Sequence, residues 1–166
     1  MKKMILILVV VALAPIMAFA DFGLAVGPAA FLKSPVLLGQ AISSDDLNVT
    51  QGSFGVDVRY VMGWFQADGL ILFSAGSLNS FNAYLDAGVS LDMAPISFSV
   101  GAGPNFTGNF DSGTPLQAGL NAKVGADLRL GSASVGLSYI MAMNLDDGIR
   151  IRTGYGLLGA HFLFWL

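Results

Sequence analysis

The chain has 166 residues, of which 54% are hydrophobic and only 11% are charged, with a formal net charge of −3. Soluble domains carry roughly 25% charged residues, so much of this surface is expected to face an apolar medium. The absence of Cys excludes disulfides, thiolate metal sites and a lipidated cysteine. All 11 acidic residues are Asp and 21 residues are Gly, which disfavours long helices.

Residues 1–20 have the features of a cleaved secretory signal peptide. Two lysines precede an apolar run from Met4 to Leu13, and Ala18-Phe19-Ala20 gives the small-x-small cleavage pattern. An uncleaved membrane anchor is the weaker alternative, because a spanning helix needs about 20 apolar residues. Cleavage before Asp21 leaves six basic and 11 acidic residues, a net charge of −5 that argues against a nucleic-acid partner.

Residues 21–166 form the predicted domain, in which apolar residues alternate with polar or small ones. No stretch reaches about 18 apolar residues, so transmembrane helices are not expected. In the third segment Asp68-Gly69 is a favourable hairpin pair and is expected to begin the strand. The alternating segments run, in chain order, over residues 22–31, 54–64, 65–75, 81–93, 96–106, 116–128, 134–143 and 149–166.

The predicted connections alternate in length. This alternation is typical of outer-membrane barrels, which have short periplasmic turns and longer extracellular loops. It predicts that both termini lie on the periplasmic side. The short turns are at Asp68-Gly69, residues 92–95 and residues 130–132, and the longer polar links cover residues 32–51, 74–80, 107–115 and 144–148.

The same alternation would also suit a soluble barrel such as a lipocalin, with the apolar face inward. Asp, Lys and Arg, however, fall in loops, turns or on the face opposite the large apolar residues, and that face is rich in Gly, Ser and Ala. Small residues suit the narrow interior of eight strands. We therefore expect Val58, Leu85 and Val124 to face lipid, and a soluble barrel or an extracellular fibre subunit is less favoured.

The chain ends on the alternating residues Phe162, Phe164 and Leu166. This resembles the C-terminal signal of bacterial outer-membrane proteins that the barrel-assembly machinery reads, although the usual signal ends in an aromatic residue. The layout is similar to the small eight-stranded families of the OmpX and OmpW type. The resemblance implies an all-β, antiparallel up-and-down transmembrane β-barrel in the outer membrane of a diderm bacterium. It implies membrane lipids and the assembly machinery as partners, and it transfers fold and location rather than activity.

The last strand has an open register, because Arg150 and Arg152 share the parity of its predicted lipid-facing residues. Either the part of the strand that precedes Tyr155 lies outside the membrane, or a bulge near Gly159 exchanges the lipid-facing and lumen-facing sides of the strand. The first arrangement is favoured. It predicts a charged outer rim, as a solvated loop stem or a contact for lipopolysaccharide phosphate, formed by Asp146, Asp147, Arg150 and Arg152.

Charged residues on the small-residue face are predicted to point into the lumen. A charge in a narrow lumen needs a partner, so the favoured interpretation is a network of paired charges that closes the barrel. A polar path for ions or small solutes is the alternative. The predicted network consists of Asp57, Arg59, Asp86, Lys123, Asp127 and Arg129.

The sequence predicts no enzyme, metal site or cofactor. The single histidine, His161, lies close to the C-terminus with no Ser after it, and it is interpreted as an interfacial strand residue. Two functions follow from the predicted barrel. One is a non-enzymatic structural or surface-interaction role, with an extracellular ligand bound by the loops; the other is a narrow channel for small or hydrophobic solutes.

Overall fold

The computed structural model describes residues 22–34, 52–110, 116–146 and 150–166, so the predicted signal peptide and most of the first long link lie outside the described residues. Each strand pairs with its neighbours in sequence, and β1 also pairs with β8, which closes the sheet into a barrel. The predicted all-β, eight-stranded antiparallel fold is confirmed. The strands are β1 (Phe22–Ser34), β2 (Gly52–Met62), β3 (Phe65–Ser74), β4 (Ser77–Met93), β5 (Ile96–Asn109), β6 (Gln117–Leu130), β7 (Ala133–Asp146) and β8 (Arg150–Trp165).

Three two-residue turns define one end of the barrel, called here the lower end. They are Gly63-Trp64, Ala94-Pro95 and Gly131-Ser132. Gly63 has a φ of 59° and Gly131 a φ of 70°. These values lie in the left-handed region, which glycine adopts without steric cost and which tight hairpins need. The first described residue of β1 and the last of β8 lie at this same end.

Two predicted connections are wrong. Asp68-Gly69 lies within β3, paired with β2 on one side and β4 on the other, and the chain reverses earlier, at Gly63-Trp64. The Asp-Gly pair is a local turn preference that the two flanking ladders override. The long link over residues 74–80 is also absent, because Ala75-Gly76 joins β3 to β4 in a tight turn.

In the lower half of β8 the same alternate residues point inward throughout. Leu157, Gly159, His161 and Leu163 are all buried on the inside, so the faces do not switch near Gly159. The irregularity in the β7–β8 pairing lies instead between Ala142 and Met143. It therefore falls above the four buried residues of β8.

Large apolar side chains cover the outside of the barrel. Val58, Leu85 and Val124 are 42%, 51% and 51% exposed, on the face that the alternation predicted. Among the described residues, no helix is long and apolar enough to cross a membrane.

The interior is filled by two layers of different chemistry. Buried charged side chains occupy the middle and lower part, and an apolar layer from β1, β3, β4, β7 and β8 lies nearer the upper end, beside buried polar residues such as Asn105 on β5. On β3, for example, the inward residues change from Gln66 and Asp68 to Leu70 and Leu72 as the strand rises. The apolar layer consists of Ala29, Phe31, Leu70, Leu72, Tyr84, Ile140, Ala142 and Leu157.

Candidate functional site

The buried charged layer is the strongest candidate site, because ionisable side chains from five strands meet inside the barrel. Side chains on a strand alternate between the two faces, so residues separated by an even number of positions share a face. The charged residues two positions apart on β2 and four positions apart on β6 therefore all point into the lumen. This charge cluster consists of Asp57 and Arg59 on β2, Asp68 on β3, Asp86 on β4, Lys123 and Asp127 on β6, and His161 on β8.

Arg59 is the centre of the charge cluster and is 1% exposed. Its Nη1 lies 2.6 Å from Asp127 Oδ2 across the lumen, and its Nε lies 2.8 Å from Asp68 Oδ1 on the neighbouring strand. Its Nη2 lies 3.4 Å from Asp57 Oδ2. The planar guanidinium has five N–H donors in a fixed fork, so one side chain compensates three carboxylates at once.

Lys123 supplies a second cationic side chain at longer range. Its Nζ lies 3.6 Å from Asp57 Oδ2 and 3.6 Å from Asp68 Oδ2, and it has no hydrogen-bond partner among the described residues. It therefore stabilises these carboxylates mainly by charge attraction, which is strong in a medium of low dielectric constant.

His161 lies inside the barrel, so its interpretation as an interfacial strand residue is wrong. Its Nε2 lies 2.5 Å from Asp127 Oδ1 and 3.3 Å from Arg59 Nη2, and its Nδ1 lies 3.4 Å from Ser138 Oγ. A Cβ atom on Gly136 would collide with both His161 Nε2 and Asp127 Oδ1. Glycine at this position therefore makes room for the His161–Asp127 contact.

Ser138, His161 and Asp127 are the residue types of a hydrolytic triad, but their placement does not suit hydrolysis. Ser138 is 2% exposed and lies within the filled lumen. A nucleophilic serine must reach a substrate carbonyl, and this hydroxyl is buried with its Oγ 3.4 Å from His161 Nδ1. The three residues therefore contribute hydrogen bonds and charge contacts to the charge cluster.

Arg129 was predicted in the lumen network, but the structure places it elsewhere. It pairs with Asp92 at 3.1 Å near the lower rim, where the two side chains are 36% and 43% exposed. Its guanidinium carbon lies 4.7 Å from the ring centroid of Trp165. Arg129 does lie on the inward side of β6, as predicted. It is, however, the last inward position before the turn, where the lumen opens to solvent.

The other predicted positions lie at the two ends of β8. At the upper end the backbone of Asp146 pairs with Arg150, and that of Asn144 with Arg152, while Asp147 lies outside the described residues. At the lower end the rings of Phe162 and Phe164 are 4.7 Å apart in an edge contact, and Phe164 is exposed on the outside. Leu166, after the strand, is exposed as well.

Two charge-cluster residues escaped the sequence prediction. Asp68 was missed because it was assigned to a turn. Its spacing of two residues from Gln66 places both side chains on the same face of β3, where Gln66 Nε2 donates a hydrogen bond to Asp68 Oδ2 at 2.8 Å. His161 could have been found, because outward Phe162 and Phe164 imply an inward residue at position 161.

No protein-family model matches the chain, and no curated protein matches it in sequence. The solved structures that are similar include two bacterial outer-membrane barrels. One is the N-terminal β-barrel domain of Pseudomonas aeruginosa OprF, with a TM-score of 0.60 and 15% identity over 86% of this chain and 97% of that chain. The other is Neisserial surface protein A (NspA), with a TM-score of 0.56 and 16% identity over 87% of this chain and 97% of that chain. At this identity the likeness shows the fold, a closed eight-stranded barrel of the small outer-membrane type.

Proposed function

We propose that the chain is a non-enzymatic integral barrel of the bacterial outer membrane, closed in its lumen, with a structural or surface-interaction role. The single observation that carries this proposal is the filled interior beneath an apolar exterior. Exterior apolar surface of this extent is costly in water, and an interior occupied by buried side chains does not favour transport.

A membrane location predicts that charge on the outer face is unfavourable near mid-strand. Val58→Arg, Leu85→Arg and Val124→Arg should each cost about 2–4 kcal/mol in a bilayer, falling toward the interfaces. Leu130→Arg, next to the lower turn, is the matched control. Urea unfolding of vesicle-reconstituted protein, with a heat-modifiability gel for folding, measures the cost. If all four variants unfold like the wild type, the outer face does not contact lipid.

Closure of the lumen is supported by the apolar layer, because side chains from β1, β3, β4, β7 and β8 meet in it. The narrow channel is the alternative, and planar-bilayer conductance separates the two. We expect almost no conductance for the wild type and a measurable leak for the double variant Leu70→Ala/Leu72→Ala. Ile71→Ala, on the outer face between them, should stay closed. A large resting conductance of the wild type would favour the channel.

Export and assembly complete the proposal. The signal peptide at residues 1–20 would direct the chain across the inner membrane, and Phe162, Phe164 and Leu166 would be read by the barrel-assembly machinery. Phe164→Ser should lower the amount of folded barrel in isolated outer membranes, whereas Phe98→Ser, also exposed on the outer face, should not. The N-terminus of the purified protein tests cleavage before Asp21. An equal loss of folded barrel in Phe164→Ser and Phe98→Ser would mean that assembly depends on the apolar character of the outer face and not on a signal in the last strand.

A surface role requires the upper end of the barrel to face outward. An epitope tag inserted within residues 35–51, the link between β1 and β2, should be accessible to antibody on intact cells. The same tag at Gly131-Ser132, in a lower turn, should become accessible only after permeabilisation of the outer membrane. The reverse result would invert the orientation and remove the basis for an extracellular ligand of the loops.

A further inference from the structure

The charge cluster contains more negative than positive groups. Four carboxylates face one arginine, one lysine and one histidine. The short contact between His161 and Asp127 requires one proton between them, and a second proton on the ring gives the histidine at most one positive charge. Even then, at least one ionised carboxylate has no compensating charge. In a closed lumen of low dielectric constant an uncompensated charge is costly, so one carboxylate needs another source of neutralisation.

Asp86 is the carboxylate without a cationic partner. Asp57, Asp68 and Asp127 each contact Arg59. Among the described residues, no Lys, Arg or His nitrogen lies within 4.0 Å of an Asp86 oxygen. Asp86 is 4% exposed, so bulk water does not replace the missing partner.

The sheet places Asp86 in an unfavourable environment for a negative charge. Asp86 is directly opposite Asp68 in the β3–β4 register, and like charges in directly opposed positions destabilise a sheet. The charged groups around it are Asp57 from β2, Asp68 from β3 and Lys123 from β6, while Gly101 faces it from β5. Arg59 and Lys123 are already shared among other carboxylates.

Two unpartnered oxygens identify how the charge is balanced. Asn121 Nδ2 donates a hydrogen bond to Asp86 Oδ1, whereas Asp86 Oδ2 and Asn121 Oδ1 are both buried and have no hydrogen-bond partner within the part of the chain that the structure describes. A carboxylic acid and a primary amide have complementary donors and acceptors. One proton on Asp86 Oδ2, donated to Asn121 Oδ1, would satisfy both oxygens and remove the unmatched charge.

We propose that Asp86 and Asn121 form a proton-binding site in the lumen, in which a proton taken from solvent during folding stays on Asp86 and is donated to Asn121. The next inward residue of β4 toward the upper end is Tyr84, a member of the apolar layer. The bound proton thus keeps the charge cluster compensated directly beneath the apolar layer. An alkali cation held by the same oxygens is the competing explanation that the experiments must distinguish.

Infrared spectroscopy of the detergent-folded full-length barrel at neutral pH detects a protonated carboxyl by its C=O stretching band, which shifts in D₂O. We expect this band in the wild type and in Asp92→Asn, a rim control, and its loss in Asp86→Asn. Asn121→Ala should keep the band at a shifted frequency, because the acid loses its amide partner. This variant keeps the test decisive if Asp86→Asn fails to fold. A wild type without the band, or a band that persists in Asp86→Asn, would overturn the proposal.

The competing cation is tested by replacing NaCl with N-methylglucamine chloride at constant ionic strength. We expect the urea midpoint of the wild type to be unchanged, and Asp86→Asn to unfold at an equal or higher midpoint, because two facing amides keep both hydrogen bonds. A wild-type midpoint that rises with Na⁺, with no such rise in Asp86→Asn, would replace the proton by a metal ion and overturn the proposal.

Discussion

The charge cluster and the apolar layer fill the same narrow barrel in different ways. On β3 they are adjacent, since Asp68 belongs to the charge cluster and Leu70, the next inward residue, to the apolar layer. The charge cluster depends on mutual compensation, so loss of one partner leaves others buried and unpaired. The apolar layer depends on volume, so its loss is graded by the atoms removed. The two layers should therefore respond differently to single substitutions.

The largest effect is expected from Arg59→Ala. It leaves Asp57, Asp68 and Asp127 without their shared cation, and breaking a buried pair costs about 3–5 kcal/mol. Urea unfolding in detergent micelles measures the loss. An Arg59→Ala barrel with wild-type stability would show that the charge cluster does not compensate its own charges.

A double-mutant cycle shows which partner of Arg59 matters most. The coupling of Arg59 with Asp127, at 2.6 Å, should exceed that with Asp57, at 3.4 Å. Residues in one network show coupling of about 0.5–3 kcal/mol. Each double variant should cost less than the sum of its single variants. Strict additivity in both cycles would contradict pairing.

In the apolar layer, Leu70→Ala should cost about 2–5 kcal/mol, through lost transfer energy and a residual cavity. Ile71→Ala removes a similar volume from the outer face, where detergent fills the space, and should cost clearly less. The same unfolding assay compares them. If Ile71→Ala costs as much as Leu70→Ala, the packing of the apolar layer is not the source of the effect.

Gly136→Ala tests the fit of the charge cluster without removing a charge. The added methyl meets His161 Nε2 and Asp127 Oδ1, and overpacking of this kind costs about 1–3 kcal/mol. Gly76→Ala is the control, because a Cβ there meets nothing within 4 Å. The ring resonances of His161 by NMR should change in Gly136→Ala alone. Unchanged resonances would place His161 away from Gly136.

The smallest effect is expected at the lower rim. Arg129→Ala removes a half-exposed pair with Asp92 and a contact with Trp165, each worth about 0–1 kcal/mol. In a Trp64→Phe background, the fluorescence of Trp165 should shift while the urea midpoint barely moves. A loss as large as that of Arg59→Ala would show that Arg129 does belong to the charge cluster.

The number of strands, the lipid-facing and lumen-facing sides of each strand and the closed barrel could be predicted from the sequence. The alternation of apolar and polar residues depends only on which medium each side of a strand contacts. β3 was difficult because its upper half is apolar on both faces: inward Leu70 and Leu72 interrupt the pattern that Gln66 and Asp68 begin. The predicted lumen residues of β2, β4 and β6 meet in the charge cluster, apart from Arg129 at the rim. Their partners could not be predicted, since contacts across the lumen depend on strand tilt and register rather than on parity.

The pairing of β1 with β8 has a consequence for how the barrel forms. Every other pair of strands is adjacent in sequence, so its ladder needs only a local reversal of the chain, whereas Ala25 pairs with Trp165 near the far end. Closing so long a loop carries the largest entropic cost of any pairing in the chain, and non-local pairings of this kind slow folding. Until β8 docks, β1 presents a free edge with unpaired backbone groups. The sheet thus stays open, with an unpaired edge, until β8 is available, and the docking of β8 on β1 is the step that commits the chain to the barrel.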